Sequence, residues 1–159
     1  MNGVLTMYTK RVKNINEMKR IAGCMGKILR PGSVLSIVGD LGAGKTTFTQ
    51  FLGESLGIEE AITSPTFSLI HSYDSGRLNH LDLYRLESPE EIETIDFEEY
   101  FYPTGITVIE WASRAEDYLP RNIIKLYIDK VDENSRDLRI EGNNFWEKNF
   151  IKELENEGS

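Results

Sequence analysis

Eight consecutive residues, Gly39-Asp40-Leu41-Gly42-Ala43-Gly44-Lys45-Thr46, match the pattern G-x-x-x-x-G-K-[ST] at every fixed position. Each fixed residue has a duty toward a polyphosphate. The glycines reach backbone angles closed to other residues and let N–H groups approach an anion closely. Successive N–H groups then form a concave nest around the anion. A helix beginning at Lys45 adds the positive end of its dipole. The Lys45 ammonium reaches the β- and γ-oxygens, and the Thr46 hydroxyl is placed to hold Mg²⁺. A loop of this kind binds a nucleotide but does not by itself hydrolyse one.

Hydrolysis needs an acid near the metal, at the carboxyl end of a neighbouring strand. Two positions qualify. Ile106-Thr107-Val108-Ile109-Glu110 is an apolar run ending in a carboxylate, and Asp82 sits between apolar residues in His80-Leu81-Asp82-Leu83. Either carboxylate is suited to hold Mg²⁺, directly or through water, or to orient the attacking water. The sequence leaves that division open. Thr66, in a loop after the phosphate-binding helix, reads either as a sensor of the γ-phosphate and metal or as a plain loop hydroxyl. His71 and His80 have no cysteine partners and read as packing or surface residues rather than a metal site. Trp111, directly after Glu110, reads first as core packing and second as a contact for a ligand or partner.

The elements that must position these residues follow from periodicity. Val4–Thr9 reads as a strand. Asn14-x-x-Glu17 caps a helix whose apolar stripe is Met18, Ile21, Ala22, Met25, Ile28 and Leu29, and Pro31-Gly32 ends it. Cys24 borders that stripe as a small packing residue. Ser33–Val38 is a strand leading into the glycine-rich turn. A helix from Lys45 carries Phe48, Phe51, Leu52 and Leu56 and stops at Gly57. Phe67–Tyr73 and Leu78–Leu83 form a hairpin around Asp74-Ser75-Gly76. Ser88-Pro89 opens a further helix. Ile106–Ile109, Ile123–Ile128 and Leu138–Ile140 are later strands, Gly142 breaks the chain, and Asn144-x-x-Glu147 caps a final amphipathic helix. The expected fold is α/β: a single P-loop domain over residues 1–159 with a mixed, mainly parallel sheet flanked by helices.

Composition narrows the function further. The chain has 159 residues with 40% apolar and 28% charged, which excludes a disordered or collagen-like chain. One cysteine rules out an intrachain disulfide, no apolar run is long enough for a membrane span, and a cytoplasmic setting is the simplest expectation. A net charge of −8 argues against a general nucleic-acid binder. The charge is uneven: residues 1–30 hold seven Lys or Arg and one acid, while residues 87–99 hold seven acids and no base. The acidic stretch reads as a solvated face.

Four blocks taken together resemble the TsaE family: Gly39 to Thr47, Ser64-Pro65-Thr66-Phe67, His80-Leu81-Asp82-Leu83-Tyr84-Arg85-Leu86 and Ile109-Glu110-Trp111. The resemblance spans roughly residues 5–140. It implies a P-loop ATPase of tRNA threonylcarbamoyladenosine biosynthesis that binds ATP or ADP with Mg²⁺ along Leu41, Gly42, Ala43, Gly44, Lys45, Thr46 and Thr47. It further implies Thr46 and Glu110 as metal-linked residues, Asp82 as an essential acid at the same centre, Thr66 as the switch threonine and Trp111 as functionally sensitive. The adenine is implied near Asn14-Ile15-Asn16 and near Arg136. Partners are implied to be TsaB and TsaD, with tRNA reached only through the complex; because no arginine finger is evident in the chain, turnover is expected to be weak without them. The tail from about residue 142 matches no family motif.

Other readings of the loop compete with this one. A small-molecule P-loop kinase has this size, but such kinases gather arginines on a lid, and no arginine cluster occurs here. A guanine-reading switch needs an Asn/Thr-Lys-x-Asp stretch, for which Asp129-Lys130-Val131-Asp132 lacks the leading residue. Arg85, Arg114 and Arg136 are the candidates for a charge-stabilising arginine from within the chain; a partner is the other source.

Overall fold

The computed structural model describes residues 5–40, 42–63, 69–143 and 149–155. Strand β1 (Leu5–Val12) runs into α1 (Ile15–Ile28), which starts as its sequence dictates. Asn14 Oδ1 accepts the Glu17 N–H at 2.9 Å, and Glu17 reaches back to the Lys13 N–H at 3.0 Å. Those two bonds satisfy donors that the first helical turn leaves orphaned. The next elements are β2 (Val34–Val38), α2 (Lys45–Ser55), β3 (Ile70–Tyr73), β4 (Leu78–Asp82), α3 (Phe97–Phe101), β5 (Ile106–Glu110), β6 (Ile124–Lys130) and β7 (Arg136–Asn143). Residues 149–155 are again helical.

The strands form one sheet in the order β1-β7-β6-β2-β5-β4-β3. Its central strands β6, β2, β5 and β4 are parallel, and the outer pairs β1–β7, β7–β6 and β4–β3 are antiparallel. Central strands are covered on both faces, so β5 is buried along its whole length rather than alternating. One apolar cluster lies beneath α1, α2 and the C-terminal helix, around Ile21, Met25, Phe48, Leu52 and Phe150. The other lies on the opposite face, around Leu81, Leu83, Ile92, Phe101 and Ile109. Helices thus flank a mixed sheet, as the α/β reading expects. Among the described residues no helix is long and apolar enough to cross a membrane.

Two expectations change in detail. The helix expected from Ser88 is a 3₁₀ segment (Pro89–Thr94) followed by the short α3, because Ile95 breaks between them in extended backbone. Ser88 makes no side-chain cap there, and a run of acids with no base has no i,i+4 ion pair to support a long helix. Gly142 does not break the chain: it lies inside β7, opposite Thr6, so the last strand extends to Asn143 and the C-terminal segment begins as strand rather than helix. The C-terminal segment packs into the fold through Phe150, which is fully buried 5.3 Å from the Tyr8 ring, and through Leu154, whose carbonyl takes an Arg20 N–H at 2.9 Å. The cap expected at Asn144 lies outside the described residues.

Candidate active site

β2 ends at Val38, and the chain turns through the glycine-rich loop into α2 at Lys45. Gly42 and Gly44 take φ of +83° and +112°, left-handed values that other residues rarely adopt. Nothing lies within 4 Å of where their Cβ atoms would stand, so the space before them stays open for an anion. Gly39 is required for a different reason: a Cβ there would meet the Ile128 carbonyl at 2.7 Å. The Ala43 N–H donates to Asp40 O at 3.0 Å and closes the loop.

The two candidate acids converge because β4 and β5 are parallel neighbours. Asp82 and Glu110 are register partners at the carboxyl ends of those strands, and Glu110 is opposite Ile37 of β2. Glu110 is 3% exposed. Its Oε1 is 3.6 Å from Lys45 Nζ and its Oε2 is 2.6 Å from His80 Nε2. Lys45 Nζ also stands 4.9 Å from the centre of the Trp111 ring. Asp82 is half-buried; its Oδ1 accepts the Tyr84 N–H at 3.0 Å. Burial raises the Asp82 carboxyl above its ordinary value, and the neighbouring Glu110 charge adds to that, against the lowering effect of the Tyr84 N–H.

Sequence reasoning missed His80. Placed among packing residues, it is instead fully buried with its Nε2 on Glu110. An ionised carboxylate only accepts, so in this bond Nε2 is the donor. Nδ1 has no partner among the described residues. The available signal was the i,i+2 spacing to Asp82, which puts both side chains on one face of a strand. His71 does keep a packing role, with Nδ1 3.4 Å from the Tyr73 hydroxyl.

A cleft of about 630 Å³ gathers the site. Gly42, Gly44, Lys45, Thr46, Thr47, Asp82 and Glu110 line it, together with Asp40, Tyr84 and Trp111. Trp111 is in left-handed backbone (φ 59°), stacks obliquely on Tyr84 at 4.9 Å, and so combines packing with a place on the cleft wall. The Arg114 guanidinium lies 5.5 Å from the Tyr84 ring. Ile15 and Arg136 lie outside this cleft lining. Arg136 pairs in register with Val12, near the start of α1, and its Nε donates to the Ala43 carbonyl at 2.7 Å. Ile15 is 60% exposed at the first turn of α1. Leu41 and Thr66 lie outside the described residues.

Comparison with known proteins bears on this arrangement. The family model described as threonylcarbamoyl adenosine biosynthesis protein TsaE matches residues 12–138. A tRNA threonylcarbamoyladenosine biosynthesis protein TsaE from Bacillus subtilis is 40% identical over 130 residues, covering 80% of this chain and 81% of its own. One of the same name from Nostoc is 47% identical over 122 residues, with 73% and 74% covered. A crystal structure of Bacillus subtilis YdiB superposes with a TM-score of 0.77 at 31% identity, over 99% of this chain and 100% of that one.

Proposed function

The chain belongs to the TsaE family of tRNA threonylcarbamoyladenosine biosynthesis, and from that premise we propose that it is the Mg²⁺-dependent ATP-binding and ATP-hydrolysing subunit of that machinery. It cycles a complex of TsaB and TsaD homologues and does not perform the transfer to tRNA itself. The observation that carries this reading is the meeting of Lys45 with Glu110 at 3.6 Å beside Asp82, at the mouth of a loop whose glycines are left-handed.

The donor set fits a hard, hydrated cation. Mg²⁺ takes one or two carboxylates and leaves its other positions to water and phosphate. The Thr46 hydroxyl, Glu110 and Asp82 would hold it, and among the described residues no group of three or more His, Cys, Asp or Glu competes as a different metal site. When bound, the ion supplies charge stabilisation at the phosphoryl oxygens. The loop N–H groups and Lys45 bind and orient the β- and γ-phosphates. Glu110 holds Lys45 in the cleft while His80 fixes the carboxylate's rotation. Asp82, with one oxygen taken by the Tyr84 N–H, lines the same cleft and would orient the attacking water there. Trp111 and Tyr84 line the same cleft.

Phosphate release from ATP, measured for the chain alone and with its TsaB and TsaD partners, tests the reading. Turnover should be weak alone and rise in the complex, and Lys45→Met should abolish it along with most nucleotide affinity. Equal rates with and without partners would refute the cycling role. Transfer of phosphate to an added acceptor would replace hydrolysis with a kinase.

A further inference from the structure

The β6–β7 hairpin grips the phosphate loop through one side chain. Arg136, at the start of β7, donates from Nε to the Ala43 carbonyl at 2.7 Å. Its Nη1 donates to the carbonyls of Asp132 and Ser135 at 2.8 and 2.9 Å. The turn that presents it is fixed in its own right, since Asp132 Oδ1 accepts the N–H groups of Asn134 and Ser135 at 2.9 and 2.8 Å. The Arg136 backbone is in register with Val12 of β1 on one side and Lys130 of β6 on the other. The guanidinium is therefore a rigid bracket between the sheet and the loop.

A planar trans peptide points its carbonyl and its N–H in opposite directions. The Ala43 carbonyl and the Gly44 N–H belong to one peptide. Holding that carbonyl on the outer side of the loop turns the Gly44 N–H to the other side. A cationic donor on the carbonyl also polarises the amide and strengthens its N–H as a donor. We propose that Arg136 is a positioning residue that acts through the Ala43–Gly44 peptide, aiming and polarising the Gly44 N–H toward the phosphate end of the ligand. This places its effect on the phosphates and not on the base, near which the family resemblance would put it. The inference rests on the reading of the loop as a phosphate cradle.

The test uses the full chain with Mg²⁺. Dissociation constants for ADP and for inorganic tripolyphosphate, which has no base, are measured for the parent, Arg136→Met and Arg136→Lys. Amide spectra of the ligand-free proteins are recorded alongside. Arg136→Met should weaken both ligands by the same factor, about tenfold, and move the Gly44 amide resonance before any ligand is added. Arg136→Lys, which keeps one donor, should lose less on both measures; it also serves if the methionine variant fails to fold. A loss confined to ADP would make Arg136 a base contact and overturn the proposal, as would an unmoved Gly44 amide. Should the parent bind neither ligand, the phosphate-cradle reading fails, while the Gly44 resonance still reports whether the bracket exists.

Discussion

His80→Leu should separate stability from turnover. The substitution deletes the 2.6 Å bond from His80 Nε2 to Glu110 at a fully buried position. A hydrogen bond to a charged group contributes about 1.5–3 kcal/mol. The same substitution removes Nδ1, a buried nitrogen without a partner among the described residues, and such an orphan costs about 1–3 kcal/mol. The two changes have opposite signs and similar size, and leucine is close to histidine in volume. The unfolding free energy should therefore stay within about 2 kcal/mol of the parent. Glu110, however, loses the partner that fixes its rotation. Loss of a group that orients a metal-linked side chain costs roughly 10- to 100-fold in metal affinity or activity. Denaturant unfolding measures the first quantity, and ATP turnover across a Mg²⁺ titration, in the presence of the partners, measures the second. His80→Gln, which keeps an N–H for Glu110, should recover part of the turnover. A stability loss well above 3 kcal/mol, or unchanged turnover and Mg²⁺ half-saturation, would refute the positioning role.

Asp82→Asn should raise stability at neutral pH while abolishing turnover. Because burial raises the folded pKa of Asp82, the native state holds this proton more tightly than the unfolded chain, so stability falls as pH rises from the unfolded toward the folded value. Asparagine keeps an oxygen for the Tyr84 N–H, and the gain in melting temperature should shrink in acid; a destabilised variant at pH 7 would contradict this. Phe150→Ala should cost about 3–5 kcal/mol through a cavity beneath the C-terminal helix, and an unchanged unfolding midpoint would show that this helix is dispensable. Gly105→Ala would push a Cβ into the carbonyls of Gly76 and Arg77, the second at 2.6 Å. Arg77 O also accepts the Ile106 N–H at 2.9 Å, so this backbone has little room to yield. A loss of about 1–3 kcal/mol by denaturant titration is expected.

What the sequence made legible follows the range of the interaction involved. The cap at Asn14, the α1 stripe, the glycine-rich turn and the strand ending at Glu110 depend on residues a few positions apart, and each forms as its spacing dictates. Asp82 and Glu110 were recognisable singly as acids at strand ends. Their pairing, however, exists only because β4 lies parallel beside β5 with Asp82 opposite Glu110. His80 escaped for the same reason: its partner is 30 residues away. A buried polar strand residue cannot be told from a packing residue until the neighbouring strand is known. Arg136 is the sharper case. Its chemistry as a cation suggests a ligand, yet two of its donors go to backbone carbonyls, and only the antiparallel edge β6–β7–β1 brings it to the loop. Local pattern thus identifies the groups proposed to touch a nucleotide, whereas strand order identifies the groups that hold them in place. The second kind should be sought across the sheet from the first, on the strands one place beyond those flanking β2, as His80 on β4 and Arg136 on β7 are.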